Sequence, residues 1–146
     1  MRILAIDHGT VRIGLALSDE LGMLARPLET IPAAGAIARI RQIAGERAVK
    51  IIILGLPLRL DGTEGPAAAR VREFYARLRA ALDDSVAILL RDESLTTVEA
   101  QEKLRARRRS AKGRNAIIDQ AAAAVILQEF LDERIDRTLP TGDEPS

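Results

Sequence analysis

Residues 50–57 read KIIILGLP, with no polar residue after Lys50. A strand with one wet face alternates apolar and polar positions, so a run that does not alternate demands cover on both faces. Parallel strands sandwiched between helices meet that demand, and SVAILLRDE at 85–93 is a second such run. Between the two, Val71, Phe74, Tyr75, Leu78 and Leu82 recur at helical spacing, as do the apolar residues at 37, 40, 43 and 44 ahead of the first. The order helix, strand, helix, strand predicts the parallel half of a sheet with helices on its faces.

The amino-terminal third has a different rhythm. Apolar runs at 2–6 and 12–17 flank DHGTV, a glycine-containing connection that reads as a hairpin. Residues 23–31, MLARPLETI, supply a third strand, with Pro27 pointing to an edge or an irregular stretch. This is an antiparallel meander, and it joins the later strands in one mixed five-stranded α/β sheet. After the last strand, Thr96 and Glu99 form a capping box that starts a helix near Thr97, and Gly113 breaks it. Asn115 is a candidate N-cap for a terminal helix, AIIDQAAAAVILQEFLDERI, whose alanines permit close packing on a sheet. One domain over 1–137 is expected, with a disordered tail over 138–146.

Composition narrows the chemistry. The 146 residues contain no cysteine and one histidine, which excludes disulfides, thiolate metal sites and a zinc cluster of nitrogen and sulfur ligands. A metal must be held by oxygen, which favours hard cations such as Mg²⁺ or Mn²⁺. No apolar run approaches the ~20 residues of a membrane span, and no signal peptide is readable, so a cytoplasmic location is expected. Net charge is only +1, yet KLRARRRSAKGR, from Lys103 to Arg114, carries seven basic residues and no acid. That run is either a solvated helix face or a surface for phosphates. Aromatic residues are 2% of the chain, too few to stack unpaired bases, so nucleic acid would be gripped by its backbone.

Acidic residues fall at informative places. Asp7 ends the first strand, Asp92 and Glu93 end the last, and Asp119 lies near the start of the terminal helix. In such sheets, sites assemble at the open end of the central strands. Carboxylates gathered there repel one another unless a cation satisfies them. Each also has an ordinary reading. Asp7 could be a turn former beside Gly9, and Glu93 and Asp119 could stabilise helix starts. His8 reads as a turn residue without chemistry, and GLPLRLDGTEG as a polar loop.

Four segments, IDHGTVRIGLALSD, GLPLRLDGTEG, RDESLTTVEA and IDQAAAAVILQEFLD, resemble in order and spacing the YqgF family, also called RuvX, of Holliday junction resolvase-like proteins and pre-16S rRNA nucleases. The similarity runs from residue 3 to about residue 132. It implies an RNase H-like fold, and it implies that Asp7, Glu93 and Asp119 form the catalytic, metal-binding set. The family usually has arginine after its DE pair; this chain has Ser94, for which the neighbouring Arg91 is a conceivable stand-in. The resemblance implies ribosomal RNA precursor processing or junction resolution without choosing between them.

The mechanism expected is two-metal phosphodiester hydrolysis, with Mg²⁺ or Mn²⁺ ions whose shells phosphate oxygens and water complete. Arg12 and the segment containing Arg105, Arg107, Arg108, Arg109, Lys112 and Arg114 are candidate backbone contacts. Two rivals stand beside it. An aspartate followed by glycine and threonine also resembles the phosphate turn of actin-like ATPases and sugar kinases, which need two such domains; 146 residues without a duplicated turn cannot build that cleft. The other rival is a non-catalytic nucleic-acid-binding module that keeps the fold.

Overall fold

The computed structural model describes residues 1–94 and 115–138. Five strands form one sheet, β1 (Arg2–His8), β2 (Arg12–Ser18), β3 (Ala25–Pro32), β4 (Val49–Leu58) and β5 (Ala87–Ser94), in the order β3-β2-β1-β4-β5. The meander β1–β2–β3 is antiparallel, and β4 and β5 run parallel to β1. Three helices complete it: α1 (Ala36–Glu46), α2 (Pro66–Ala81) and α3 (Asn115–Thr138). The helix expected from Thr97, the break at Gly113 and the tail beyond Thr138 lie outside the described residues.

Strand alternation divides the core in two. Leu4, Ile6, Ile13, Leu15, Ile52 and Leu54 face α1 and α2, where Ile40, Phe74 and Leu78 close over them. Ile3, Ala5, Ala16 and Ile53 face the other way and receive Ala123, Ile126, Leu127 and Leu131 of α3. Both faces of β1 and β4 are therefore covered, which is why their sequences fail to alternate. The small side chains of Ala5, Ala16 and Ala123, all fully buried, let α3 lie close on the sheet. Gln128 ties α3 to β3: its Oε1 accepts from the Ala25 amide at 2.9 Å, and its Nε2 donates to the Met23 carbonyl at 3.1 Å.

Pro27 sits where irregularity was expected. The β2–β3 register shifts between Leu15, opposite Glu29, and Ala16, opposite Pro27, leaving Leu28 as an extra residue on an outer strand. The first hairpin is longer than its sequence suggests. Asp7 pairs with Gly14 and His8 with Ile13, so both belong to the ladder and only residues 9–11 make the connection.

Candidate active site at the strand ends

Asp7 follows Ile3 and Ala5 on the face covered by α3, and it is only 9% exposed. A buried carboxylate at the end of a strand is not a turn former, so that reading of Asp7 falls. Its ladder partner Gly14 carries the next element of the site. A Cβ built on Gly14 would lie 2.1 Å from the Asp119 carbonyl oxygen and 3.0 Å from the Asp119 Cβ. The absent side chain is what allows α3 to set Asp119 directly on β2. Asp119 is 8% exposed. Asp7 and Asp119 therefore flank the same glycine, one in plane and one above it.

Glu93 arrives from the other side. It pairs with Pro57 on β4, and its Oε2 lies 3.0 Å from where a Cβ of Gly55 would stand, with Ile126 Cδ1 at 3.3 Å from the same point. The last paired rung between β1 and β4 is Ile6 with Leu54; one residue further on come Asp7 and Gly55. Gly14 on β2 and Gly55 on β4 thus flank Asp7 in the sheet and form a floor, with Asp119 seated on the first glycine and Glu93 reaching over the second. Among the described residues, no three histidine or acidic side chains lie close enough together to hold a metal ion among them.

Among the described residues, the cation paired with Asp119 is a guanidinium. Arg12 Nε lies 3.2 Å from Asp119 Oδ2, with the arginine side chain 31% exposed. That Nε is shielded from solvent, yet its N–H does not point at the carboxylate well enough for a hydrogen bond. The contact is an ion pair of imperfect geometry. Arg12 was expected to meet phosphate; its described partner is Asp119.

Other expectations are redistributed. Asp92 and Glu93, adjacent in sequence, point to opposite faces of β5, and Asp92 acts electrostatically on Arg72 of α2. Arg91, the stand-in considered for an arginine at position 94, is engaged by Glu133 of α3 through two hydrogen bonds of 2.8 and 2.6 Å. His8 is a strand residue, facing α2 with its ring centroid 4.8 Å from that of Phe74. Burial, then the charges of Arg70 and Arg77, lower its pKa, so the imidazole is neutral at pH 7. Residues 59–65, beyond the end of β4, are the turn their composition suggested: Gly62 is left-handed at φ 83°, and Asp61 Oδ1 accepts from the Thr63 amide at 3.0 Å and the Thr63 hydroxyl at 2.6 Å. Arg105, Arg107, Arg108, Arg109, Lys112 and Arg114 lie outside the described residues.

Sequence reasoning missed the two glycines and the Arg12–Asp119 pair. The signal for the first was present, since glycine inside a strand often marks a close approach of another backbone. Nothing in the spacing of residues 12 and 119 announces the second.

A mixed five-stranded sheet of this order, with helices on both faces, is an RNase H-like fold. Solved structures share it: Thermus thermophilus RuvC superposes with a TM-score of 0.56 at 15% identity over 93% of this chain and 97% of that one. T. thermophilus RuvC in complex with a Holliday junction substrate also gives 0.56, at 18% identity over 97% and 99%. The likeness to RuvC is one of fold.

The family model of RuvX, described as Holliday junction resolvase, matches residues 1–133, and the chain belongs to that family. A relative from Anaeromyxobacter dehalogenans (strain 2CP-C), named "Putative pre-16S rRNA nuclease", is 46% identical over 137 residues, 92% of this chain and 98% of its own. Another of the same name from Nocardia farcinica is 48% identical over 142 residues, 91% of this chain and 78% of its own.

Proposed function

We propose that this protein is a divalent-metal-dependent nuclease that hydrolyses phosphodiester bonds in maturing the 5′ end of pre-16S rRNA. The observation that carries the reading is the glycine floor, which packs Asp119 onto the ladder partner of Asp7 and leaves room beneath Glu93. Nothing about the hydrophobic core requires two buried carboxylates on one glycine, and a divalent cation would offset the cost of desolvating them beyond what Arg12 provides at Asp119. The pre-16S rRNA substrate follows the names of the relatives.

The donor set fits Mg²⁺ or Mn²⁺ in its chemistry: carboxylate oxygens alone, at the rim of a rigid sheet, with no soft ligand. Asp7, Asp119 and Glu93 would hold the ions, and phosphate oxygens and water would complete their shells. Ions held there would supply a nucleophilic water at neutral pH and positive charge for the leaving oxygen. The chain's own part is to fix the carboxylates: β1 and Gly14 hold Asp7 and Asp119 in place, and β5 brings Glu93 over Gly55. Arg12 and the basic residues Arg105, Arg107, Arg108, Arg109, Lys112 and Arg114 are assigned to the phosphate backbone, which makes binding salt-dependent. No helix among the described residues is long and apolar enough to cross a membrane. We place the activity in the cytoplasm, where precursor rRNA is found.

The family's description favours a second reading, resolution of branched DNA. One experiment separates the readings. Purified protein with Mn²⁺ is offered a pre-16S 5′ leader transcript, single-stranded DNA and a four-way junction, with Asp7→Asn alongside. Preferential cleavage of the transcript, abolished by Asp7→Asn, supports the proposal; preferential cleavage of the junction supports the second reading. Binding without cleavage of any substrate makes the protein a non-catalytic module, and cleavage that survives Asp7→Asn removes Asp7 from the mechanism.

A further inference from the structure

We infer that Arg12 is a displaceable counter-cation of the candidate metal site: its guanidinium occupies Asp119 while no divalent ion is bound and leaves that carboxylate when one arrives. The inference rests on the metal-dependent reading above and adds a role to a residue outside its ligand set.

Three features carry it. First, Asp119 is the fixed partner, because its backbone is seated on Gly14 with no space for even a methyl group. Second, Arg12 is the movable one: it is 31% exposed on its side chain, it is the first residue of β2, and its stem can swing outward without breaking the ladder. Third, the pair is poorly made. At 3.2 Å the Nε satisfies charge but not hydrogen-bond direction, and that Nε remains shielded from water without a hydrogen-bond partner. A structural arginine–carboxylate pair in this same protein looks different: Arg91 engages Glu133 with two bonds of 2.8 and 2.6 Å.

An ionised carboxylate as buried as that of Asp119 is stabilised by a cation beside it. Before the ion binds, Arg12 supplies that charge. Once an ion sits on Asp119, a guanidinium 3.2 Å away would be repelled by it, and the freed arginine stands at the rim where a phosphate oxygen of the substrate would be met. Arg12 is thus a positioning residue that acts through Asp119. It opposes the ion in the free protein and favours the charged backbone in the complex.

The sign of the effect on metal affinity is the test. Mn²⁺ alone is titrated into the full chain by calorimetry and by the electron paramagnetic resonance of free Mn²⁺, for the parent, Arg12→Gln, Arg12→Met, Arg12→Lys and Asp119→Asn. Far-UV circular dichroism checks each variant's fold, and the two charge-removing variants back each other. The inference predicts Mn²⁺ binding about 3–10-fold tighter in Arg12→Gln and Arg12→Met, from removal of a competing pair that is partly exposed. Arg12→Lys should stay within about twofold of the parent, since it keeps the charge. Unchanged or weaker binding in both charge-removing variants, with binding lost in Asp119→Asn, overturns the role of Arg12 and leaves the metal site standing. Parent-like binding in Asp119→Asn overturns the metal site itself, and this inference with it.

Discussion

Gly14→Ala is the substitution on which the geometry of the site can be judged. An added methyl carbon would stand 2.1 Å from the Asp119 carbonyl oxygen and 2.3 Å from its carbon, both backbone atoms that no side-chain rotation can remove. Real Cβ contacts are not found below 3.0 Å, so the start of α3 must retreat from β2 by at least about 0.9 Å. Overpacking of this kind costs about 1–3 kcal/mol. For a domain of this size that lowers the melting temperature by roughly 3–10 °C. The loss of function should be larger, because Asp119 rides on the displaced backbone and a shift near 1 Å in a catalytic group can cost ~10²-fold in rate. Urea unfolding measures the first quantity and Mn²⁺-supported cleavage the second, on the same preparations. A Gly14→Ala protein with parent stability and parent cleavage would show that α3 does not sit on β2 as described and that Gly14 does not set the position of Asp119.

Three further outcomes follow from the same structure. Gly45 lies in α1 with nothing within 4 Å of its absent Cβ, so Gly45→Ala should stabilise by up to about 1 kcal/mol in urea and leave cleavage unchanged. At Gly55 the obstructing atoms are the ends of the Glu93 and Ile126 side chains, which can move; Gly55→Ala should cost under about 1 kcal/mol in stability yet lower cleavage at least about tenfold by deflecting the carboxylate. His8 has a folded-state pKa below its ordinary value of 6.5, so the stability it contributes is complete above that value and is lost as pH falls below it toward the folded pKa. In EDTA, the drop in urea midpoint between pH 7.5 and 5.5 should be smaller in His8→Phe than in the parent; an equal drop places the linkage elsewhere.

Much of the architecture could be read from the chain because burial leaves a direct imprint on sequence. The unbroken run at 50–57 and the helical spacing after it exist because β4 is covered on both faces, and Pro27 announced the register shift it accompanies. Asp7 and Asp119 were legible as candidates through their positions at the ends of elements. What failed was local chemistry in conflict with tertiary pairing. His8 looks like a turn residue beside Gly9, but pairing with Ile13 and packing on Phe74 extend the strand through it. Asp92 and Glu93 look like one acidic pair until strand alternation sends them to opposite faces. The floor of Gly14 and Gly55 depends on which backbone or side chain approaches from 38 or more residues away, and no periodicity encodes that. The Arg12–Asp119 pair is of the same kind, a contact between β2 and α3 that only the folded chain creates.

The central claim is that Asp7, Glu93 and Asp119 together hold divalent cations against a phosphodiester. Crystals of the protein grown with a short RNA and Mn²⁺, measured for anomalous scattering at the manganese edge, test it most directly. A manganese peak beside the carboxylates of Asp7, Glu93 and Asp119, with Arg12 turned off Asp119 toward phosphate, is the expected result. A manganese peak elsewhere, with these carboxylates unliganded and the Arg12–Asp119 pair intact beside bound RNA, would contradict it.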